Sequence, residues 1–463
     1  MTRLFRDLVP ASVLTLLISE AVLVFWCYTV ACLLVLAVDP WVFLLHDGGI
    51  GRILFVVASV LLGLYFHDLY THIRIRSRIL LIQQLCQIIA IAFLAEAMLS
   101  YVNRDWMLPR WVMILGGGLS LVVLLSWRVF YGVFVLRALG GVKLLFLGHN
   151  SLVEEIELYI SERPELGIEI LGCVAEDHGD GSTSGENRVL GTVHSLREIV
   201  ARTRPDRIVV GMAERRQRLP VNDLLDLRFA GVRIEEAAAT FEATCGRVSL
   251  KDLRPGRLIF AADLGPRPGR VMLQGLYSTL IGLAGAIVML PLMLIIAAGV
   301  KLSSAGPVLY RQQRVGLNGE VFVLFKFRSM AEDAEAETGA VWAAKDDPRV
   351  TLLGRWLRKL RLDELPQFFN VVRGEMSIVG PRPERPEFVK TLEEQIPFYR
   401  RRHCVRPGIT GWAQINHKYG NTLEDTIKKL EYDLYYIKNL SPALDAYIIF
   451  HTLKTMLLSR GAH

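Results

Sequence analysis

Three unlike regions in series are predicted: an α-helical membrane region of four transmembrane helices, a Rossmann-like α/β domain, and a mostly α domain that opens with a re-entrant membrane helix. Three observations predict this order. Four apolar stretches precede residue 140, short apolar runs then alternate with helical patterns, and an isolated apolar run at Val271–Val300 is basic on both flanks. The expected boundaries are 1–140, 141–265 and 266–463, a division that 463 residues accommodate. Hydrophobic residues make up 52% of the chain, more than a water-soluble core needs, and the excess is concentrated in these runs.

The first four runs are Leu8–Val38, Ile50–Tyr65, Ile79–Tyr101 and Trp111–Leu136. The first is too long, and follows too weak a basic region, to be a cleaved signal, so it reads as an anchor. Basic residues set the orientation. Arg3 and Arg6 precede the first run, Arg74, Arg76 and Arg78 lie between the second and third, and Arg137 and Lys143 follow the fourth. The other two connections hold mainly Asp39, Asp47, Arg52, Arg104 and Arg110, so positive-inside counting places the N-terminus and everything after residue 140 in the cytoplasm. Glu20 and Arg128 fall inside apolar runs and are expected to snorkel or pair.

From Lys143 the texture changes. "KLLFLGHNSLVEEIELYI" reads as strand, turn and helix, "IEILGCVAED" as a strand, and "SLREIVARTRPDRIVVGM" and "NDLLDLRFAGVRI" as helix–strand pairs. That alternation implies a parallel sheet with helices on its faces. The loop at 178–187, "HGDGSTSGEN", reads as a surface connection. After the first strand only Gly148 stands where a dinucleotide fold would place G-x-G-x-x-G, so the domain reads as a scaffold for regulation or assembly.

Val271–Val300 is long enough to span a bilayer, yet Arg267 and Arg270 precede it and Lys301, Arg311 and Arg314 follow. A simple crossing would put one cluster on the wrong side. A helix that enters one leaflet, breaks at Pro291 and returns satisfies both flanks. Beyond it, "TLLGRWLRKLRLDEL" sets Leu353, Trp356, Leu357 and Leu360 at helical spacing with Arg355, Arg358, Lys359 and Arg361 between them. A basic amphipathic helix of this kind suits the headgroup layer. On a continuing helix Lys359 and Arg361 would share faces with Asp363 and Glu364 and keep both acids ionised.

The segments "GPVLYRQQRVGLNGEVFVLFKFRSM" (306–330), "KDDPRVTLLGRWLRKLRLDELPQFFNVVRGEMSIVGPRPERPEF" (345–388) and "RPGITGWAQIN" (406–416) closely resemble the bacterial polyprenyl-phosphate glycosyl-1-phosphate transferases. The likeness spans about 270–460, with the preceding regions resembling the large monotopic subgroup. It implies transfer of a sugar 1-phosphate, glucose or galactose by the subgroup resemblance, from a UDP-sugar to undecaprenyl phosphate with release of UMP. It further implies a covalent intermediate on Asp363, with Glu364 as its partner. Adjacent helical positions point about 100° apart, so the two acids divide the work, one attacking phosphorus while the other holds Mg²⁺. Both are therefore candidate metal ligands. Arg314, Lys326, Arg328, Arg358 and Arg382 are candidates for the phosphates, with Gly316, Gly319 and Gly380 allowing close backbone approach. Arg406, Gly408, Thr410 and Gly411 are candidates for uridine or sugar contacts. His403 is expected at the surface facing lipid phosphate, and Asp347 and Arg349 are weaker candidates. Family members often carry Ser-Pro at the membrane break, where this chain has Leu290-Pro291.

The expected setting is the cytoplasmic face of a bacterial inner membrane, at the first membrane step of exopolysaccharide, capsule or O-antigen synthesis, and the large cytoplasmic surfaces fit a homodimer. The modest basic excess of seven charges fits anionic headgroups and phosphorylated ligands; no nucleic-acid module is legible. Two rivals remain: a nucleotide-sugar-modifying enzyme working through the middle domain, which the missing glycines disfavour, and a transporter or export component, which the few buried charges disfavour.

Overall fold

A computed structural model describes residues 11–36, 39–67, 69–70, 78–102, 107–135, 141–163, 166–175, 189–212, 219–250, 265–303, 305–330, 349–417 and 422–457. Its two compact units meet at Thr240/Phe241. The boundary expected at 265/266 thus differs from this division, because Phe241–Leu250 packs with the second unit. Within that unit the Val248 N–H donates to Glu431 O, and Arg247 and the Leu250 N–H reach the Glu431 carboxylate at 3.0 Å each.

The membrane region is built from α1 (Ala11–Val35), a short α2 (Pro40–Leu45), α3 (Gly49–Phe66), α4 (Arg78–Val102) and α5 (Arg110–Phe130). The four long helices follow the four apolar runs closely, and each is long and apolar enough to cross a membrane. The hydropathy pattern does not announce α2. It forms because the Asp39 side chain accepts from the Trp41 N–H at 2.9 Å and Pro40 occupies the first helical position. The fifth turn of the last run continues as a π-helical turn, Tyr131–Val135. Glu20 and Arg128 pair with each other inside the bundle, 2.6 Å apart. Arg3, Arg6, Arg74, Arg76, Arg104 and Arg137 lie outside the described residues.

The α/β part carries β1 (Val142–Leu147), α6 (Ser151–Ser161), β2 (Ile168–Ala175), β3 (Val189–Thr192), α7 (Leu196–Thr203), β4 (Arg207–Val210), α8 (Val221–Phe229) and β5 (Arg233–Glu236). The strands form one parallel sheet in the order β3-β2-β1-β4-β5. The alternating pattern anticipates this, apart from the edge strand β3, a short segment that follows the loop at 178–187. The loop 178–187 lies outside the described residues.

The second unit begins with α9 (Ala237–Cys245), shared across the boundary, and then α10 (Pro268–Ser303). This 36-residue helix runs through Pro291 without interruption, which corrects the expected break there. A proline removes one i→i−4 donor, and strongly apolar flanks that pack on both sides can carry the helix past that loss. The helix is about 54 Å long at 1.5 Å per residue. Its buried residues, Gln274, Ser278, Gly282 and Ala286 before the proline and Met293, Ile296 and Val300 after it, form one stripe. After it come the hairpin β6 (Leu309–Val315) and β7 (Val321–Phe327), α11 (Leu352–Lys359), α12 (Gln367–Val372) and β8 (Ser377–Val379). The unit closes with α13 (Pro386–Gln395), β9 (Gly408–Thr410), α14 (Trp412–Asn416), α15 (Leu423–Asn439) and α16 (Pro442–Leu457). The front half of α10 meets α12 and β8: Ser278 Oγ lies 2.7 Å from Ser377 Oγ, and a Cβ on Gly282 would stand 2.7 Å from Val371. The rear half joins Phe327 and Leu357 in a common core.

Candidate active site

The acids at 363 and 364 sit on a tight turn, not on a continuing helix. α11 starts where the Thr351 hydroxyl accepts from the Gly354 N–H at 2.9 Å, and it ends at Lys359. Arg361 then takes a left-handed conformation (φ 54°), which starts a 3₁₀ turn over Leu362–Glu364. The expected same-face pairing of Lys359 with Asp363 is therefore absent, and the Lys359 ammonium lies over the Trp356 ring instead. Leu357 points into the core while Leu352 and Trp356 remain exposed at 80% and 63%, so α11 offers an open apolar and basic face beside the acids.

The cations around the pair come from distant segments. Lys326 Nζ, at the end of β7, donates to Glu364 Oε1 at 2.9 Å, and Arg382 Nη2 donates to the same oxygen at 2.9 Å. Arg361 Nη1 stands 3.7 Å from Glu364 Oε2. The side chain of Asn370 fixes the strand that brings Lys326 in. It accepts from the Phe325 N–H at 3.1 Å and donates to Val323 O at 2.7 Å. Its amide is fully buried, and nothing in the sequence singled it out.

Asp363 is held differently. No hydrogen bond or ion pair reaches its carboxyl group among the described residues, although it is buried beside Glu364. Burial, with the Glu364 charge, pushes Asp363 above the usual carboxylate range against the pull of Lys326, Arg358 and Arg382. Burial would raise Glu364 as well, but Lys326, Arg382 and Arg361 outweigh it and hold Glu364 well below that range. The two neighbouring acids are therefore shifted in opposite directions: Glu364 is an anion bonded through Oε1 to two cations, and Asp363 receives no hydrogen bond among the described residues.

Other expected site residues are spread more widely. Arg358 Nε donates to Ser329 Oγ at 2.9 Å, and its charge is felt at Asp363. A Cβ on Gly354 would stand 2.0 Å from Ser329 O, so that helix and the Ser329 segment touch backbone to backbone. Arg328 is buried where β7 ends. Arg314 does not reach the acids. It donates to Pro383 O at 2.9 Å and to Gln312 Oε1, with Glu384 3.6 Å away. Arg406 lies against α10, where a Cβ on Gly275 would meet its Nη1 at 2.9 Å. Gly408 and Thr410 belong to β9, which pairs in parallel with β8. A Cβ on Gly408 would stand 2.0 Å from Gly380 N, and Thr410 Oγ1 lies 2.7 Å from Thr452 Oγ1, so β9 packs closely on the Gly380 backbone and on α16. Gly411 and Gly380 abut in the same way, whereas Gly316 and Gly319 form the β6–β7 turn, in which Asn318 is also left-handed. His403 is buried edge-on to Tyr399, not at the surface, and burial with Arg402 and Arg400 pushes its ring down to about 4. Asp347 lies outside the described residues; Arg349 adjoins the bridge between Met330 and Val350.

The site at the carboxyl end of β1 looks different. Asn150 Oδ1 accepts from the Leu152 and Val153 N–H groups at 3.1 and 2.9 Å, using the donors at the start of α6 that a pyrophosphate would need. Glu154 and Glu157 flank His149 at 3.7 and 3.8 Å, adding negative charge there.

Residues 270–459 match the family model described as bacterial sugar transferase, and residues 65–226 match a CoA-binding domain model. The chain is 33% identical over 384 residues to a UDP-glucose:undecaprenyl-phosphate glucose-1-phosphate transferase of Xanthomonas campestris pv. campestris, covering 78% of this chain and 76% of that one. It is 45% identical over 221 residues to a UDP-N-acetylgalactosamine-undecaprenyl-phosphate N-acetylgalactosaminephosphotransferase of Aeromonas hydrophila, covering 48% of this chain and 51% of the relative. A third, the undecaprenyl-phosphate glucose phosphotransferase of Komagataeibacter xylinus, is 49% identical over 177 residues, or 37% of this chain and 33% of its own length. The match thus spans about half of the Aeromonas relative, a third of the Komagataeibacter one and three quarters of the Xanthomonas one.

Proposed function

The chain belongs to the bacterial sugar transferase family, and on that premise we propose that it moves a sugar 1-phosphate from a UDP-sugar to undecaprenyl phosphate with release of UMP. The observation that carries the reading is the asymmetry of the acid pair: Glu364 is held by three cations, while the adjacent Asp363 is buried and receives no hydrogen bond among the described residues. A nucleophile must keep an oxygen free for bonding, and a neighbour whose charge is already matched does not compete for the role.

In the first step an Asp363 carboxylate oxygen attacks the phosphorus that bears the sugar. The bond from that phosphorus to the bridging oxygen breaks, and its electron pair departs with UMP. In the second step an oxygen of undecaprenyl phosphate attacks the same phosphorus, the acyl phosphate bond breaks, and the aspartate carboxylate is restored. Lys326, Arg358 and Arg382 surround the pair and offset the charge that the diphosphate brings. No group of three acidic, histidine or cysteine side chains gathers among the described residues. Two adjacent carboxylates nevertheless suit Mg²⁺, a cation that is commonly bound through one or two carboxylates plus substrate phosphate oxygens. Asp363 and Glu364 Oε2, which no hydrogen bond reaches among the described residues, would hold it, and it would neutralise part of the diphosphate charge.

The stripe on α10 supports a re-entrant placement in which the helix bends at Pro291 and continues, without the break expected from the sequence. Both sides of Pro291 pack on elements of the same compact unit as the ionised Glu364, which a helix with ends on opposite faces of a bilayer would not permit. Its outward face, with Leu276, Leu280, Ile287 and Ile295, is exposed and apolar, as lipid contact requires. With the basic flanks, this supports a multi-pass protein whose catalytic unit lies on the cytoplasmic face of the inner membrane. The relative aligned along most of both chains is named for UDP-glucose, which favours that donor over UDP-galactose. The test is incubation of the purified protein with undecaprenyl phosphate and a panel of UDP-sugars, scoring UMP and extractable glycolipid. Release of UMP with one donor and recovery of the sugar phosphate on Asp363 after a quench is the expected result; an adduct on another residue would overturn the assignment.

A further inference from the structure

The loop Gly380–Glu384 brings Arg382 to Glu364, and four successive carbonyls of that loop each receive a donor from elsewhere in the chain. The Gly408 N–H donates to Pro381 O, Arg402 Nη2 to Arg382 O, Arg314 Nη1 to Pro383 O and the Val315 N–H to Glu384 O, each at 2.9 Å. Pro381 and Pro383 have no N–H, so the carbonyl side is the side by which the backbone there can be held. Arg402 is itself enclosed. Its Nε and Nη2 stand 3.0 and 2.8 Å from Asp433 Oδ2, and its Nη1 donates to the Tyr399 hydroxyl at 2.7 Å. Arg402 and Asp433 are both buried, and a buried ion pair is by itself a weak source of stability. What this pair adds is a rigid donor aimed at the backbone of the residue whose own guanidinium bonds Glu364.

We propose that Arg402, backed by Asp433 and joined by Arg314, is a positioning residue that fixes Arg382 against the acid pair through the loop carbonyls. This rests on the transferase reading of the acid pair. It gives Arg314 a task other than the phosphate contact expected of it, and it gives a task to Arg402 and Asp433, which no motif argument had singled out. A displacement of Arg382 by about 1 Å would be felt as a rate loss, because charge stabilisation at a reacting phosphorus depends on placement.

The test uses full-length protein in lipid nanodiscs and four variants: Arg382→Gln, Arg402→Gln, Arg402→Lys and the double Arg382→Gln/Arg402→Gln. Arg402→Gln is expected to lower kcat for UMP release by about 10–100-fold while KM changes by less than about 3-fold, the signature of a contact that matters most in the transition state. The double variant should be no slower than Arg382→Gln alone within about twofold, because both changes remove one contact. Arg402→Lys, which keeps a cationic donor, should recover part of the rate. Hydrogen–deuterium exchange gives a readout free of turnover. In Arg402→Gln, exchange should rise in peptides containing Arg382, Glu384 and Gly408 and stay unchanged elsewhere. Losses that multiply in the double variant, or exchange that rises evenly through the second unit, would make Arg402 a general strut and overturn the proposal. Should wild-type protein release no UMP from any donor, the transferase reading fails on its own, and unchanged loop protection in Arg402→Gln would still defeat the clamp.

Discussion

Buried arginine and carboxylate groups occur in the membrane bundle and in the candidate active site, and they are assembled in contrasting ways. In the bundle one carboxylate meets one guanidinium: Glu20 lies 2.6 Å from Arg128 Nε and accepts from Arg128 Nη2 and the Tyr70 hydroxyl at 3.0 and 2.7 Å. Arg128 Nη1 is spent on Leu69 O at 2.9 Å. The set is closed, as a charge pair surrounded by apolar helices must be. At the acid pair, Lys326, Arg358, Arg361 and Arg382 surround two carboxylates, and Asp363 is left without a hydrogen bond among the described residues. A closed set is a lock. An open set with surplus cations suits an incoming polyanion, and on the proposed reading the carboxyl group that no hydrogen bond reaches among the described residues is the part that reacts.

The largest expected effect breaks the open set. Asp363→Asn keeps shape and burial but removes the attacking oxyanion, so UMP release should fall by roughly 10⁴-fold or more with the melting temperature unchanged. Turnover near the wild-type rate would show that the unbonded acid is a bystander. Breaking the closed set should instead cost stability. Glu20→Gln leaves a buried guanidinium without its counter-charge and should destabilise the bundle by about 3–5 kcal/mol, read by thermal unfolding in nanodiscs. A Glu20→Leu/Arg128→Met double variant should recover most of that loss, and its failure to do so would argue that the pair has a task beyond packing.

A third variant sharpens the contrast with a buried group that is kept neutral. His403 is held down at about 4 by burial and by Arg402 and Arg400, so the unfolded chain binds a proton near pH 6.5 that the folded chain refuses. The stabilising contribution is therefore full above pH 6.5 and is lost as pH falls toward 4. Wild-type protein should lose about 3 kcal/mol across that window relative to His403→Gln, measured by melting at stepped pH. Parallel pH curves for the two proteins would mean the ring titrates normally. The smallest effect tests geometry alone. Gly354→Ala places a methyl group against Ser329 O and should cost about 1–3 kcal/mol while shifting Arg358, with a modest fall in rate. A tolerated alanine would show that α11 can move without disturbing the acids.

Much of the architecture was legible in order along the chain. The four membrane helices and most of the parallel sheet follow hydropathy period and length, which are local properties that each segment carries with it. The same holds for the apolar face of α10, although not for its passage through Pro291, where packing on both sides outweighs one lost hydrogen bond. The acid pair was legible as well, because its motifs are contiguous.

The arrangement of cations around it was not. Lys326 is 38 residues from Glu364 and Arg382 is 18 away, so only the folded β6–β7 hairpin and the clamped proline loop bring them to one oxygen. The left-handed turn at Arg361 then decides which acid those cations reach. Helical geometry alone assigned Lys359 to Asp363; among the described residues the actual turn gives the direct cation contacts to Glu364 and none to Asp363. By itself the sequence determined which segments form long apolar helices, which form the sheet and where two acids stand together, because these depend on neighbours in the chain. Tertiary structure alone decided which acid is saturated, which arginines bear on the pair and which instead hold backbone. Coulomb energy and hydrogen bonding act over a few ångströms of space, and distance along the chain does not report that separation.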